Sequence, residues 1–348
     1  MQPPYLYYNE SSLIGYTGVI VLQASHFAAI DLGSNSCRLL VMKETPQGLA
    51  LEEAFSRVVR LSEGLSESDE LCENAQERAL AALKQCAKKL EKYQNITLRC
   101  VATEACRRAV NAPSFLKHVR QTLGFDFKVL SQKEEASFAV KGISGLLDPS
   151  YPYALVFDVG GASTEVVLLA QDPGHPQGVR IIDWISLPLG VVSIAETGHP
   201  ECAKSYLQVA ASIRDTLRQF SAPHNLDVLI AQNKVQLVGS SGTATTAAAL
   251  HLGLRYYARH RVDGIVLTFD QIEQVIKDLQ MMSNHERSLH PCIGSERSDL
   301  VLAGMAVFEG LASAWPVGLL TVADRGVRDG VVFQLYEDTK NMDLASVA

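Results

Sequence analysis

The sequence has no lysine or arginine before Arg38, and its early apolar run at Val19–Leu22 is short and interrupted. A signal peptide needs a positively charged leading segment, and a membrane helix needs about 20 apolar residues, so neither is predicted. The 7 cysteines are scattered and include no C-x-x-C pair, which argues against a disulfide framework and a zinc site. We therefore expect a cytoplasmic protein with reduced thiols and no membrane contact.

Basic blocks are also missing, and 31 Lys and Arg against 38 Asp and Glu give a net charge of −7. A protein that binds a nucleic-acid duplex needs a concentrated positive surface to neutralise phosphates. A duplex is therefore not an expected partner. A smaller polyanion would have to be held locally, by a few arginines, backbone N–H groups or a metal ion.

The length of 348 residues is typical of about two domains. Residues 1–24 match no element pattern and are predicted to be an N-terminal extension. From Phe27 onward strand and helix patterns alternate, which is typical of an α/β fold, and turn residues cluster at Asp148–Pro152. We predict one α/β domain at 25–148, a second at 149–335 and a tail at 336–348.

A short repeat opens each predicted domain. Residues 28–42, AAIDLGSNSCRLLVM, align with residues 155–169, LVFDVGGASTEVVLL, so that Asp31 matches Asp158. Each copy predicts a β-hairpin whose first strand ends in Asp and whose Gly/Ser turn directs N–H groups at an anion. The Asp can hold a divalent cation that bridges to phosphate oxygens. Arg38 and Glu165 occupy matching positions, so one half could clamp an anion while the other orients water.

A third glycine-rich turn, VGSSGT at 238–243, follows an apolar strand and precedes a helix predicted from about Thr245. A helix N-terminus attracts anions through its free N–H groups and its dipole. Taken alone, the turn is equally typical of a capped connection between a strand and a helix. Together with the two hairpins it makes three phosphate-type loops.

These segments resemble the exopolyphosphatase / guanosine-pentaphosphate phosphohydrolase family. The resemblance runs from about Phe27 to Val332 and rests on six ordered pieces: DLGSNSCR at 31–38, ATEACR at 102–107, KEEA at 133–136, DVGGASTE at 158–165, GSSGT at 239–243 and ADRGVR at 323–328. It implies two ribonuclease-H-like α/β domains, related to actin, Hsp70 and the sugar kinases, with the active site in the interdomain cleft. The implied activity is magnesium-dependent hydrolysis of inorganic polyphosphate, or of guanosine pentaphosphate to the tetraphosphate.

The resemblance also implies roles for individual residues. Glu135 would be the general base that activates the attacking water, and Glu165 would assist catalysis. Asp158, Glu165 and Asp31 would hold magnesium and its water. The implied phosphate-binding residues lie on the three loops and include two arginines: Gly33, Ser34, Asn35, Ser36, Arg38, Arg107, Gly160, Gly161, Ala162, Ser163, Gly239, Ser241, Gly242 and Thr243. Homodimers are common among the proteins it resembles, and a homodimer is expected here too.

Two of these residues have ordinary explanations when the resemblance is set aside. Glu135 follows Glu134 on a predicted helix, which is typical of a solvated helix face, and Arg107 precedes Arg108, which is typical of surface charge. Ala162 departs from the family pattern, which has glycine there, and its methyl group is expected to tighten the loop against the terminal phosphate.

Two other functions remain open at this stage. One is a sugar-kinase-like, ATP-dependent phosphotransferase on the same fold, and the other is a non-catalytic module that binds guanosine alarmones through the same loops. Phosphate release discriminates among them. Water as acceptor supports the hydrolase, a required sugar supports the kinase, and binding without turnover supports the module.

Overall fold

The computed structural model describes residues 26–175, 177–198 and 203–347, and the predicted extension at 1–24 lies outside them. The strands are β1 His26–Leu32, β2 Ser36–Thr45, β3 Gly48–Val58, β4 Ile96–Ala102, β5 Phe127–Val129, β6 Tyr153–Val159, β7 Thr164–Gln171, β8 Val179–Leu187, β9 Val235–Gly239, β10 Val266–Thr268 and β11 Leu319–Val322. The α-helices are α1 Leu65–Ser68, α2 Glu73–Leu90, α3 Glu104–Arg108, α4 Ala112–Leu123, α5 Gln132–Ile143, α6 Val191–Gly198, α7 Ala203–Ser221, α8 Leu226–Ala231, α9 Gly242–His251, α10 Arg259–Val262, α11 Phe269–Met281, α12 Asn284–Leu289, α13 Val301–Ala314 and α14 Val327–Val347. Within these ranges every helix is too short or too polar to cross a membrane.

Two mixed sheets repeat one topology. The first has the order β3-β2-β1-β4-β5, and the second has the order β10-β11-β9-β6-β7-β8. In each sheet three antiparallel strands come first in the chain, and the next strand pairs in parallel with the first of them. A further parallel strand follows in each sheet, and in the second sheet the outer strand β10 pairs antiparallel with β11. The predicted α/β fold with two similar halves is confirmed.

Strand β1 shows why the site can be placed precisely at a strand end. Its side chains alternate between two hydrophobic clusters, with Ala28 and Ile30 in one and Phe27 and Ala29 in the other. A strand covered on both faces reads as a continuous apolar run and has little freedom to shift. Asp31 follows directly in that run and is therefore held in a fixed position.

Helices α5 and α14 cross at very short range between the sheets. A Cβ on Gly330 would lie 1.9 Å from the Phe138 carbonyl oxygen, and a Cβ on Gly142 would lie 2.2 Å from the Gly326 carbonyl oxygen. Only glycine permits such an approach. The crossing fixes α5, the helix that carries Glu135.

The domain limits inferred from the sequence stay a prediction, and the course of helix α14 bears on the last of them. Helix α14 runs without interruption through the expected boundary at 335/336, and its Val331, Val332 and Leu335 pack with Phe27 and Leu40 of the first sheet. The chain therefore returns to the first half after completing the second sheet.

The sequence patterns did not predict strands β3 and β8. Strand β3 contains the helix-favouring stretch LEEA and is mostly exposed, and it forms because it pairs with β2 from Ser36↔Val58 to Thr45↔Gly48. Strand β8 likewise pairs only with β7. Both are outer strands, whose conformation depends on a partner distant in sequence rather than on their own residues.

Candidate active site

The two predicted hairpins form, and their registers place charged pairs directly opposite one another. Asp31 pairs with Arg38 across β1 and β2, and Asp158 pairs with Glu165 across β6 and β7. Side chains opposite each other in a sheet lie on the same face and interact. The first hairpin therefore presents a pair of opposite charges, and the second presents two carboxylates.

Both hairpins open into one cleft between the domains, and the two loops touch. A Cβ on Gly161 would lie 2.8 Å from the Asn35 backbone nitrogen. The cleft is lined by most of the residues proposed from the sequence: Asp31, Gly33, Ser34, Asn35, Ser36, Arg38, Glu135, Asp158, Gly160, Gly161, Ser163, Glu165, Gly242 and Thr243. The tertiary structure thus gathers three loops from distant parts of the chain.

In the two hairpin loops, backbone carbonyl groups accept hydrogen bonds from neighbouring segments and so point away from the cleft. The Asn35 carbonyl accepts from Val59 N–H at 2.8 Å, and the Gly160 and Gly161 carbonyls accept from Val191 and Val192 N–H at 2.9 and 2.8 Å. In the described part of the chain, the N–H groups of loop residues 161–163 donate no hydrogen bond within the protein. An anion in the cleft would meet N–H donors rather than carbonyl oxygens.

The third loop caps helix α9. The Ser241 hydroxyl accepts from Ala244 N–H at 3.1 Å, and Gly242 and Thr243, which follow it in the first turn, line the cleft. Ser241 lines an adjoining pocket. The cap leaves the N–H groups of the first turn available for an anion.

Glu134 and Glu135 have different surroundings, although the sequence did not separate them. Glu134 forms a capping box with Ser131 at the start of α5 and is ion-paired with Lys128. Glu135 faces the cleft, with a side chain only 14% exposed. The solvated-face explanation therefore applies to Glu134, and Glu135 is the carboxylate that a substrate would meet.

Arg107 lies behind Glu135 and does not line the cleft. Its Nη1 atom lies 2.9 Å from Glu135 Oε2 and donates to the Leu130 carbonyl at 2.7 Å, and its Nε atom donates to Glu104 Oε2 at 3.0 Å. These contacts occupy its guanidinium donors. In this arrangement Arg107 contacts Glu135 and Glu104, and the predicted contact with substrate phosphates stays a prediction.

Ala162 and Gly239 are also absent from the cleft lining. Ala162 is 4% exposed and is not among the residues that line the cleft, and its predicted effect on the terminal phosphate stays a prediction. A Cβ on Gly239 would lie 2.7 Å from the ring of Phe157, so this glycine permits close packing of β9. Both positions support the loops from behind.

Burial and mutual repulsion raise the pKa values of the cleft carboxylates. Burial raises the pKa of Asp158 to about 7, and the charges of Glu135 and Asp31 add to the effect while Arg38 opposes it. Burial and the neighbouring carboxylate Asp158 raise the pKa of Glu165, although Ser163 donates a hydrogen bond to it. Burial, and then the charge of Glu165, raise the pKa of Glu135 against the opposing effect of Arg107. Such a concentration of negative charge calls for a cationic ligand.

The carboxylates fit a magnesium ion in their chemistry. The buried Asp31 Oδ1 and Asn35 Oδ1 atoms have no hydrogen-bond partner among the described residues, and both residues line the cleft. In the same ranges no group of three Asp, Glu, His or Cys side chains is placed to hold a metal ion by itself. Magnesium commonly binds through one or two carboxylates and completes its shell with water and substrate phosphates. The oxygen donors here suit an ion that arrives with its substrate.

Two arginines supply the positive charge. Arg38 and Arg297 both line the cleft, and in the described ranges neither forms an ion pair with a carboxylate. Burial and the nearby Arg38 charge lower the pKa of Arg297. The sequence analysis missed Arg297 because it lies in the irregular segment before α13, where an isolated arginine forms no motif. Only the folded chain shows that the Arg297 side chain lines the cleft.

Several known proteins are similar to this chain over most of its length. The sequence model of the Ppx/GppA phosphatase family matches residues 40–339. The crystal structure of the Aquifex aeolicus Ppx/GppA family member is 28% identical, with a TM-score of 0.72, over 90% of this chain and 99% of that one. An exopolyphosphatase-like protein is 26% identical, with a TM-score of 0.76, over 90% and 99%. An exopolyphosphatase from Cytophaga hutchinsonii, 19% identical over 90% and 98%, has the same fold with a TM-score of 0.78.

The family match covers most of the chain and confirms the resemblance drawn from the six sequence segments. It also confirms two ribonuclease-H-like domains as the fold. The chain belongs to the Ppx/GppA phosphatase family.

Proposed function

We propose that this protein hydrolyses the terminal phosphoanhydride bond of inorganic polyphosphate or guanosine pentaphosphate, with water as the acceptor. One arrangement supports the proposal: a buried glutamate, an opposed carboxylate pair and two arginines, which have no ion-pair partner in the described ranges, line a single cleft beside a loop with unused N–H groups. Phosphoryl transfer needs little covalent chemistry from a protein, but it needs charge neutralisation and an aligned nucleophile. The cleft offers both.

Glu135 is the proposed general base. Its raised pKa makes the ionised carboxylate a stronger base toward water, and positive charge brought into the cleft favours that ionised form. Arg107 holds one of its oxygens, and the other remains free toward the cleft. Glu135 thus receives the proton as the water oxygen attacks the terminal phosphorus, and the bridging P–O bond breaks to release orthophosphate and the substrate shortened by one phosphate.

The loops and arginines bind the charged substrate. Arg38, Arg297 and the N–H groups of residues 161–163 would bind the phosphate oxygens, and they would stabilise the negative charge that spreads over them during transfer. Asp158, Glu165 and Asp31 would hold magnesium, which when bound supplies further neutralisation of the phosphates. The carboxylates themselves cannot approach phosphate without such a cation.

Beyond Arg297 the cleft continues into a pocket whose other arginines are already neutralised. Arg325 lies 2.7 Å from Asp263, and Arg259 lies 2.8 Å from Asp329. The uncompensated positive charge is therefore confined to the part of the cleft near the scissile phosphate. This favours recognition of the end of a chain, or of a nucleotide's terminal phosphates, over binding along a long polymer.

The test compares two adjacent glutamates. Glu135→Gln keeps the shape but cannot accept a proton, so phosphate release should fall by roughly 10²–10⁴ in kcat with little change in magnesium dependence. Glu134→Gln is the matched control, because Glu134 only caps α5, and its kcat should remain near the wild-type value. Phosphate release is measured from polyphosphate and from guanosine pentaphosphate, with and without an added sugar acceptor.

Two results would contradict the proposal. Near-normal turnover of Glu135→Gln at saturating magnesium would remove Glu135 as the base. Release that requires a sugar, or binding without turnover, would show a kinase-like transferase or a binding module instead.

A further inference from the structure

A four-residue segment, Val59–Ser62, supports the first phosphate loop from behind. The N–H groups of Val59 and Arg60 donate to the Asn35 carbonyl at 2.8 and 3.0 Å, and Ser62 N–H donates to the Ser34 carbonyl at 3.0 Å. These bonds turn the loop carbonyls away from the cleft. The segment therefore determines how the first loop presents its N–H groups.

Arg60 has an unusual backbone for its residue type. Its φ is +47°, and the other described non-glycine residues with positive φ are Asp69, Asn225 and Asn233. Asp and Asn adopt this left-handed conformation readily, whereas arginine does so at a cost. Such strain persists only where the surroundings enforce it, and it is concentrated at functional positions.

The Arg60 side chain crosses to the other domain. Its Nη2 atom lies 2.7 Å from Asp299 Oδ1 and donates to the Glu296 carbonyl at 3.1 Å. Asp299 and Glu296 flank Arg297, the cleft arginine that has no carboxylate partner in the described ranges. One side chain thus connects the support of the first phosphate loop to the segment that presents Arg297.

A neighbouring ion pair shows what an incidental contact looks like here. Arg57 lies 3.6 Å from Glu296 Oε1, and the two side chains are 45% and 52% exposed. Exposed pairs of this kind contribute little. In the Arg60–Asp299 pair the side chains are 28% and 42% exposed, and Arg60 differs chiefly because it contacts two groups through one nitrogen and keeps a strained backbone.

We propose that Arg60 is a positioning residue that latches the two domains together and thereby sets Arg297 against the first phosphate loop. The inference rests on the proposed function, because the latch matters only if a phosphate substrate binds in this cleft. Both the bound substrate and the Arg60 contact then stabilise the closed arrangement of the two domains. Without the latch a smaller fraction of the free protein is closed, so apparent affinity falls by that fraction while turnover of the bound complex is retained.

The experiment uses the full chain and three variants. Arg60→Ala and Asp299→Asn should each raise KM for tripolyphosphate by about 5- to 20-fold and change kcat by less than about 3-fold, as loss of a part-buried ion pair predicts. The Asp299 variant leaves the strained backbone of Arg60 unchanged, so it guards against a folding defect in Arg60→Ala. Arg57→Ala, the control, should change KM by less than about 2-fold.

A charge reversal separates the latch from a merely structural role. The double variant Arg60→Asp with Asp299→Arg should have a lower KM than either single reversal, because the pair is restored in opposite orientation. Small-angle scattering of the ligand-free protein, which needs no turnover, should give a larger radius of gyration for Arg60→Ala than for the wild type and Arg57→Ala.

The outcomes distinguish the two proposals. An unchanged radius of gyration together with an unchanged KM in Arg60→Ala and Asp299→Asn would overturn the latch and leave the hydrolase proposal intact. Additive losses in the double reversal would also overturn the latch. If neither the wild type nor any variant releases phosphate from tripolyphosphate, the proposed function fails. The scattering comparison alone then decides whether Arg60 holds the cleft closed.

Discussion

Replacing Asp158 by asparagine should stabilise the metal-free protein against unfolding and at the same time slow its release of phosphate. Asp158 lies directly opposite Glu165 in the second hairpin, and Glu135 and Asp31 also act on it. A cluster of like charges held for ligand binding is costly to the fold when no cation is present. The neutral amide removes one of these charges.

The magnitude follows from the shifted pKa. Burial raises the pKa of Asp158 from 3.8 to about 7, and each pKa unit corresponds to about 1.4 kcal/mol. If the whole shift appeared in the free energy of unfolding, Asp158→Asn would gain about 4 kcal/mol. Because the side chain borders an open cleft, we expect a gain of about 1–3 kcal/mol at pH 8.

The sign with pH is fixed by linkage. The folded state binds the Asp158 proton more tightly than the unfolded chain, so the contribution to stability is complete below pH 3.8 and is lost as the pH rises to about 7. The gain from Asp158→Asn should therefore be small near pH 4 and largest above pH 7.

Denaturant unfolding at several pH values, without divalent cations, measures this gain. Asp148 provides a control of opposite sign, since a hydrogen bond from Ser150 N–H lowers the pKa of Asp148, so Asp148→Asn should give no gain at pH 8. The same Asp158→Asn protein should release phosphate slowly, with partial recovery at high magnesium. A variant less stable than the wild type at pH 8, or a gain independent of pH, would refute the reasoning.

Three further outcomes follow from the geometry. Gly330→Ala should lower the free energy of unfolding by about 3 kcal/mol, because its Cβ would meet the Phe138 carbonyl at 1.9 Å, whereas Gly174→Ala, whose nearest contact is 3.5 Å, should change it by less than about 0.5 kcal/mol in the same denaturant titration. Ala162→Gly should lower stability by about 1 kcal/mol and leave KM unchanged, since the methyl group is buried outside the cleft lining, and a changed KM at unchanged stability would contradict that placement. KM per chain end should be similar for tripolyphosphate and long polyphosphate, because the arginines beyond Arg297 are already paired, and a steady fall in KM with chain length would show a longer binding track.

The sequence alone determined the two hairpins and their chemistry. A buried strand, an Asp, a Gly/Ser turn and a second strand are local features, so the matched segments at 28–42 and 155–169 predict the same structure twice. The alternation of strands and helices likewise predicted the fold class. The choice between Glu134 and Glu135 was not made from the sequence, although Ser131 and Glu134 have the spacing of a capping box, a local signal that would have separated them.

Tertiary structure decided which charges remain free for a ligand. Neither Arg107, which is followed by Arg108, nor the isolated Arg297 reveals its partner in the sequence, yet Arg107 pairs with Glu135 and Glu104, while Arg297 has no carboxylate partner in the described ranges. The outer strands β3 and β8, and the return of α14 to the first sheet, are decided in the same way. A hairpin is encoded by neighbours along the chain, but the partner of a long charged side chain is set by packing between segments that are distant in sequence.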